Sequence, residues 1–184
     1  MSKKRMILGS GKLYLIPYVD TVPEVDTICV ENNLLGYIKG GATLEYTPTF
    51  YEAKDDLGLE SKTIITEETA LLKSGVMTLN GDTLNTLCDT GRVTEDKTKG
   101  RRILKIGGIA NAKGARYVIC FHHEDPIDGD IWVLIVGQNQ AGFSLAFAKD
   151  AETVVDAEFK CLAQDKEGTL IQYIEEDATL VTTP

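Results

Sequence analysis

Val154-Val155-Asp156-Ala157-Glu158-Phe159-Lys160-Cys161 alternates between apolar and charged residues along its length. Successive strand side chains point to opposite faces, so Val155, Ala157, Phe159 and Cys161 share one face while Asp156, Glu158 and Lys160 share the other. The apolar face belongs in a core, and the charged face meets water or a partner. Gln164-Asp165-Lys166-Glu167-Gly168 follows as a turn, and Thr169-Leu170-Ile171-Gln172-Tyr173-Ile174 returns as a closing strand. Residues Gly142 to Glu176 thus read as three consecutive amphipathic strands. Such strands make a scaffold, and the residues of any functional site must be sought elsewhere.

The same reading extends toward the amino terminus. Gly11 to Ile16 forms a first strand that stops at Pro17, which lacks a ladder donor. Tyr18 to Asn33 is rich in turn residues and is expected to be a long loop. Leu35 to Thr47 alternates around Gly40-Gly41, with Ala42, Leu44 and Tyr46 on one face, and the paired glycines suggest a bulge or a close backbone approach. Ser61 to Met77 can be written as a helix opening at Thr66-Glu67-Glu68, but Lys62-Thr63-Ile64-Ile65-Thr66 is β-branched and favours a strand. Asn80 to Gly91 is the clearest helix: Asp82 is placed to cap it, and Leu84, Leu87 and Cys88 form one apolar stripe. Arg101 to Ile106 and Arg116 to His123 are further strands. Ile131-Trp132-Val133-Leu134-Ile135-Val136 is apolar on both faces, which predicts a central strand covered on each side by the helix or a second sheet layer. No repeat and no linker divides the chain. The predicted fold is mainly β, a β-sandwich or barrel with one short flanking α-helix and a long loop or hairpin arm, in one domain spanning residues 1–184.

Thr47 to Gly58 fits least well into that scheme. Pro48, the adjacent aromatics Phe50 and Tyr51, and an acidic turn at Asp55-Asp56-Leu57 cannot complete a central ladder. Two readings stay open. The segment is a surface loop folding its aromatics onto the core, or an arm whose Phe50 and Tyr51 pack onto another subunit.

The composition, 43% hydrophobic and 26% charged, is that of a soluble globular protein, and no apolar run approaches the roughly 20 residues that span a membrane. The start, Met1 to Gly9, is basic and then briefly apolar, and is read as a mobile arm of about residues 1–10 on a cytosolic product. A net charge of −9 argues against tight binding to nucleic-acid phosphates. Lys97, Lys99, Arg101 and Arg102 fit a solvated hairpin end. The four cysteines, Cys29, Cys88, Cys120 and Cys161, lack metal-ligand spacing and are expected to be reduced and buried.

Signals for chemistry are weak. Gly9-Ser10-Gly11-Lys12 lacks the phosphate-loop spacing and enters a strand, so no nucleotide is expected. His122 and His123 are the only histidines and point opposite ways on a strand, leaving His122 and Glu124 on one face as a solvated strand end. Asp125, Asp128 and Asp130 around Pro126 and Gly129 fit turn chemistry rather than a calcium loop. With no catalytic, cofactor-binding or metal-binding set, a non-enzymatic protein without cofactors is expected.

Three stretches taken in order carry a resemblance. Gly36-Tyr37-Ile38-Lys39-Gly40-Gly41-Ala42-Thr43-Leu44-Glu45-Tyr46-Thr47-Pro48 resembles the early strands of phage tail tube proteins. Glu67 to Met77, running into the Leu84/Leu87 helix, is similar to their strand-to-helix passage, and Thr153 to Ile174 to their closing hairpin. The likeness covers most of the chain after about Leu35. It implies a major tail protein of the superfamily shared with contractile-tail and type VI secretion tubes, assembling as hexameric rings stacked into a tube. The implied partners are other copies of itself, the tape measure, tail terminator and distal tail proteins, and double-stranded DNA that passes through without specific binding. The implied location is the virion tail, after synthesis and assembly in the host cytoplasm. Pro48, Phe50, Tyr51, Asp55, Asp56 and Leu57 become the candidate subunit interface. Six copies, each with nine net negative charges, would give an acidic ring that repels DNA within a screening length of roughly 8 Å. The charged face of Asp156, Glu158 and Lys160 becomes a candidate for the lumen or a neighbouring subunit. The alternatives are a tube subunit of a contractile injection or type VI secretion particle, and a monomeric β module binding carbohydrate or peptide through Phe50, Tyr51 and Trp132.

Overall fold

The computed structural model describes residues 9–77, 80–150, 152–177 and 180. Its strands are β1 (Lys12–Pro17), β2 (Leu34–Lys54), β3 (Ser61–Val76), β4 (Arg92–Asp96), β5 (Arg101–Lys105), β6 (Tyr117–His123), β7 (Ile131–Asn139), β8 (Val155–Leu162) and β9 (Ile171–Glu175). Two short helices, α1 (Val25–Ile28) and α2 (Gly81–Leu87), interrupt them. The fold is mainly β, as the alternation predicts.

Strand β6 pairs with both β1 and β7, so the main sheet closes on itself in the order β1-β2-β3-β8-β7-β6, with every pairing antiparallel. Closure removes the free edges that an open sheet of this size would expose. All six strands send residues into one core, including Leu13, Ile38, Leu72, Ile119, Ile135 and Phe159. The apolar face read from the sequence, Val155, Ala157, Phe159 and Cys161, lies in this interior. Helix α2 contributes Leu87 and Leu84 to the same core.

The outer wall carries a second cluster: Tyr14, Val118, Cys120, Leu134 and Val136, covered by Ile28 together with Val22, Val25 and Cys29. Strand β7 is buried on both faces, as expected, but neither a second sheet nor α2 covers its outer side. The 18–33 segment does so. That segment is not an open loop, since it forms α1 and a 3-10 turn at Glu31–Asn33, with Asn33 Nδ2 donating to the Ile28 carbonyl at 3.0 Å.

Three further expectations need correction. Gly142 to Glu176 holds two strands rather than three: Phe143 and Leu145 pack on the core without joining a ladder. The turn at 164–168 forms, with Asp165 Oδ1 accepting from the Glu167 and Thr169 amides, but β9 does not return along β8. It crosses to β7, lying end to end with β8 along one edge, Ile131–Ile135 against β9 and Val136–Asn139 against β8. Finally, α2 is capped by Asn80, whose Oδ1 accepts from the Asp82 and Thr83 amides at 2.9 and 2.8 Å. Asp82 lies two residues too late to cap. It sits in the positive first turn and pairs with Arg102.

The expected mobile arm at residues 1–10 falls mostly outside the described residues. Its end is anchored, because His123 Nδ1 donates to the Ser10 carbonyl at 2.7 Å. The basic residues at 97–102 do form a hairpin end, between β4 and β5, whose turn is tied by Asp96 Oδ1 accepting from the Thr98 and Lys99 amides.

Candidate functional site: a projecting hairpin arm

Strands β2 and β3 pair from Ile38↔Val76 out to Lys54↔Ser61. Their neighbours stop much earlier. Strand β1 reaches β2 only as far as Tyr37, and β8 reaches β3 only from Leu71 onward. Beyond Leu71 the two strands continue alone as a two-stranded arm of about ten residues a side, about 30 Å long. The Gly40-Gly41 bulge lies at its root, where the pairing register shifts between Lys39 and Ala42 and both glycines take positive φ, +83° and +81°. The strand reading of 61–77 therefore holds over its helical rival, since an arm of this kind needs a partner strand of β-branched residues.

All residues from 49 to 68 are exposed. Cross-strand opposites share a face, so Phe50 lies with Ile65 on one side and Tyr51 with Ile64 on the other. These four side chains are between 47% and 59% exposed, and Leu57 and Leu59 at the tip are 79% exposed. The tip is ordered by Asp55, whose Oδ1 accepts from the Glu60 amide at 2.9 Å. That amide holds the Asp55 carboxyl below the usual carboxylate range. Pro48 is half-buried opposite Glu68, in a ladder where its missing N–H falls on a strand with one neighbour only.

Of the two readings of 47–58, the folded-back loop is excluded: Phe50 and Tyr51 join neither core cluster among the described residues. The segment projects from the barrel as an arm, but its two aromatics do not share a surface. Adjacent aromatics on a strand face opposite ways, so Phe50 and Tyr51 cannot serve one flat surface. Asp55, Asp56 and Leu57 lie at the tip, where the chain reverses. Ile64, Ile65 and Leu59, absent from the candidate interface set, complete the apolar arm. The signal for the two isoleucines is the β-branched run at 62–66, but only the pairing register reveals what it faces.

The charged face of β8 continues onto the arm's root. Lys73 Nζ lies 3.0 Å from Glu45 Oε2 and 3.8 Å from Glu158 Oε2, and the bond to Glu45 raises the Lys73 pKa above its ordinary value. Lys39 pairs with Glu152 beside it. Trp132 belongs to the outer wall and stacks on His122, with ring centroids 5.1 Å apart, and the outer-wall cluster includes neither arm aromatic.

The histidines are buried rather than solvated. His122 Nε2 donates to Asp130 Oδ2 at 2.7 Å, while His123 points into the opposite side of β6. Among the described residues no group of three or more His, Cys, Asp or Glu side chains could hold a metal ion. Asp125 Oδ1 accepts from the Ile127 and Asp128 amides at 2.9 and 3.0 Å, a turn role as expected. No described helix is long and apolar enough to cross a membrane.

No protein-family model matches the chain, and no curated protein matches it.

Proposed function

We propose that this chain is a structural, tube-forming subunit of a phage tail, assembling without catalysis into stacked hexameric rings whose arms join neighbouring copies. The observation that carries the reading is the arm itself. A two-stranded ribbon is at best marginally stable in water, and this one presents apolar side chains on both faces and at its tip. A ribbon so placed is best stabilised between two surfaces of other copies, one against Phe50 and Ile65, the other against Tyr51 and Ile64. A closed barrel with few free edges leaves the arm as the main route to association. The acidic balance of the chain suits a conduit through which DNA slides without adhering. The tape measure, terminator and distal tail proteins are the proposed partners at the tube's ends, and the virion tail the proposed location.

A binding module built on Phe50, Tyr51 and Trp132 is disfavoured, because the two arm aromatics face apart and Trp132 belongs to another cluster. Electron microscopy of concentrated protein tests the proposal. Rings or tubes are expected from the full chain, and their loss is expected when residues 47–69 are replaced by a short turn. A strictly monomeric full chain at high concentration, even with tail-initiating partners present, would overturn it.

A further inference from the structure

The outer wall of the barrel brings two thiols into contact. Cys120 stands on β6, fully buried in the outer-wall cluster. Cys29 closes helix α1 in the segment laid over that wall, and it is half-buried. Their sulfurs lie 3.5 Å apart although 91 positions separate them in the chain. Cys88 and Cys161 lie elsewhere, the first at the end of α2 and the second in the barrel interior. A contact this close, with one member reachable from solvent and the other sealed behind it, is the arrangement of an attacking and a resolving thiol.

We propose that Cys29 and Cys120 form a dithiol site that reacts with a low-molecular-weight disulfide and closes into an intramolecular disulfide, fastening the 18–33 segment to β6. The surroundings divide the roles. The hydrogen bond between the two sulfurs holds Cys29 below the ordinary thiol range against the opposing effect of burial, and the hydrogen bond from Trp132 adds to it. Cys120 is pushed up by the same hydrogen bond and by burial, so it keeps its proton until Cys29 has reacted. In the first step the Cys29 thiolate bonds to one sulfur of the small disulfide and expels the other as a thiolate, which takes a proton from water. In the second, Cys120 gives up its proton to solvent, attacks the Cys29 sulfur and expels the second small thiolate. Two protein thiols are oxidised and one small disulfide is reduced to two thiols.

The test treats the native full chain with oxidised glutathione, alkylates what remains under denaturing conditions and maps the peptides without reduction. Free thiols should fall from the four in the sequence to two, with a Cys29–Cys120 linked peptide that dithiothreitol reverses. The Cys120→Ser variant should accumulate glutathione on Cys29. The Cys29→Ser variant should keep its three thiols, which guards against misreading a folding defect in the first variant. Persistence of four thiols, a first adduct on Cys88 or Cys161, a Cys29 adduct that wild-type Cys120 fails to resolve, or thiol loss at Cys120 in Cys29→Ser would each overturn the site.

Discussion

Replacing Phe50 and Ile65 together by serine separates the arm's role in association from its role in folding. The two side chains face each other across the arm and are 59% and 52% exposed. Fully burying such a side chain is worth about 1.5–3 kcal/mol, so covering the exposed parts of both by another copy would contribute about 1.7–3.3 kcal/mol. The double variant should weaken association by roughly 15- to 250-fold per interface. Within the isolated subunit only one cross-strand pair is lost, worth about 0.2–1 kcal/mol. At about 2–4 °C per kcal/mol for a chain of this size, the melting temperature should fall by less than about 4 °C. Phe159→Ala is the contrast: Phe159 is 1% exposed in the barrel interior, and its loss should cost about 3–5 kcal/mol, or about 6–20 °C. Calorimetry on dilute protein and light scattering across a concentration series read the two effects separately. If the double variant melts as low as Phe159→Ala, the arm's apolar residues serve the subunit's own core. If association is unchanged while the fold is intact, the face bearing Phe50 and Ile65 is not the joint.

Asn80→Ala should destabilise the chain by about 1 kcal/mol through loss of the α2 cap, and Asp82→Ala by less; paired thermal melts decide the order. Gly137→Ala would bring a Cβ to 2.3 Å from the Lys160 carbonyl, and calorimetry should find about 1–3 kcal/mol of lost stability as β7 and β8 are forced apart. The Asp55 carboxyl is held below its ordinary pKa by the Glu60 amide, so its folded value lies below the unfolded one. Its contribution is therefore present above about pH 4 and is lost as pH falls through the lowered folded value. The protection of the Glu60 amide, taken relative to its intrinsic exchange rate at each pH, should fall across that window, and Asp55→Asn should remove that change in protection.

Much of the barrel was legible locally. The alternation at 155–161 and the doubly apolar 131–136 each name a strand and what it buries, and the β-branched run at 62–66 names a strand, because such patterns are written into neighbouring residues. The arm was legible only as an anomaly. Pro48, Phe50 and Tyr51 were visibly unsuited to a central ladder, but whether they fold inward or project depends on where β1 and β8 stop pairing, which is a property of other segments. The same holds for β9, whose turn formed as read while its partner was misjudged: an amphipathic strand accepts any neighbour that continues the sheet, and the free edge beyond β8 was on β7. The burial of His122 and His123 is not legible locally, since nothing in the adjacent residues shows that Trp132 and Ser10 come to meet them.

The sequence by itself determined a β scaffold, the buried face of β8, the doubly buried run of β7 and the helix after Asn80. These rest on contacts within a few residues, where alternation and turn chemistry act directly. Tertiary structure alone decided that the sheet closes, that the 18–33 segment covers its outer wall and sets Cys29 against Cys120, and that residues 49–68 stand away from the barrel. Those outcomes depend on which distant strands meet and how far their ladders run, and no local pattern specifies the length of a neighbour's ladder.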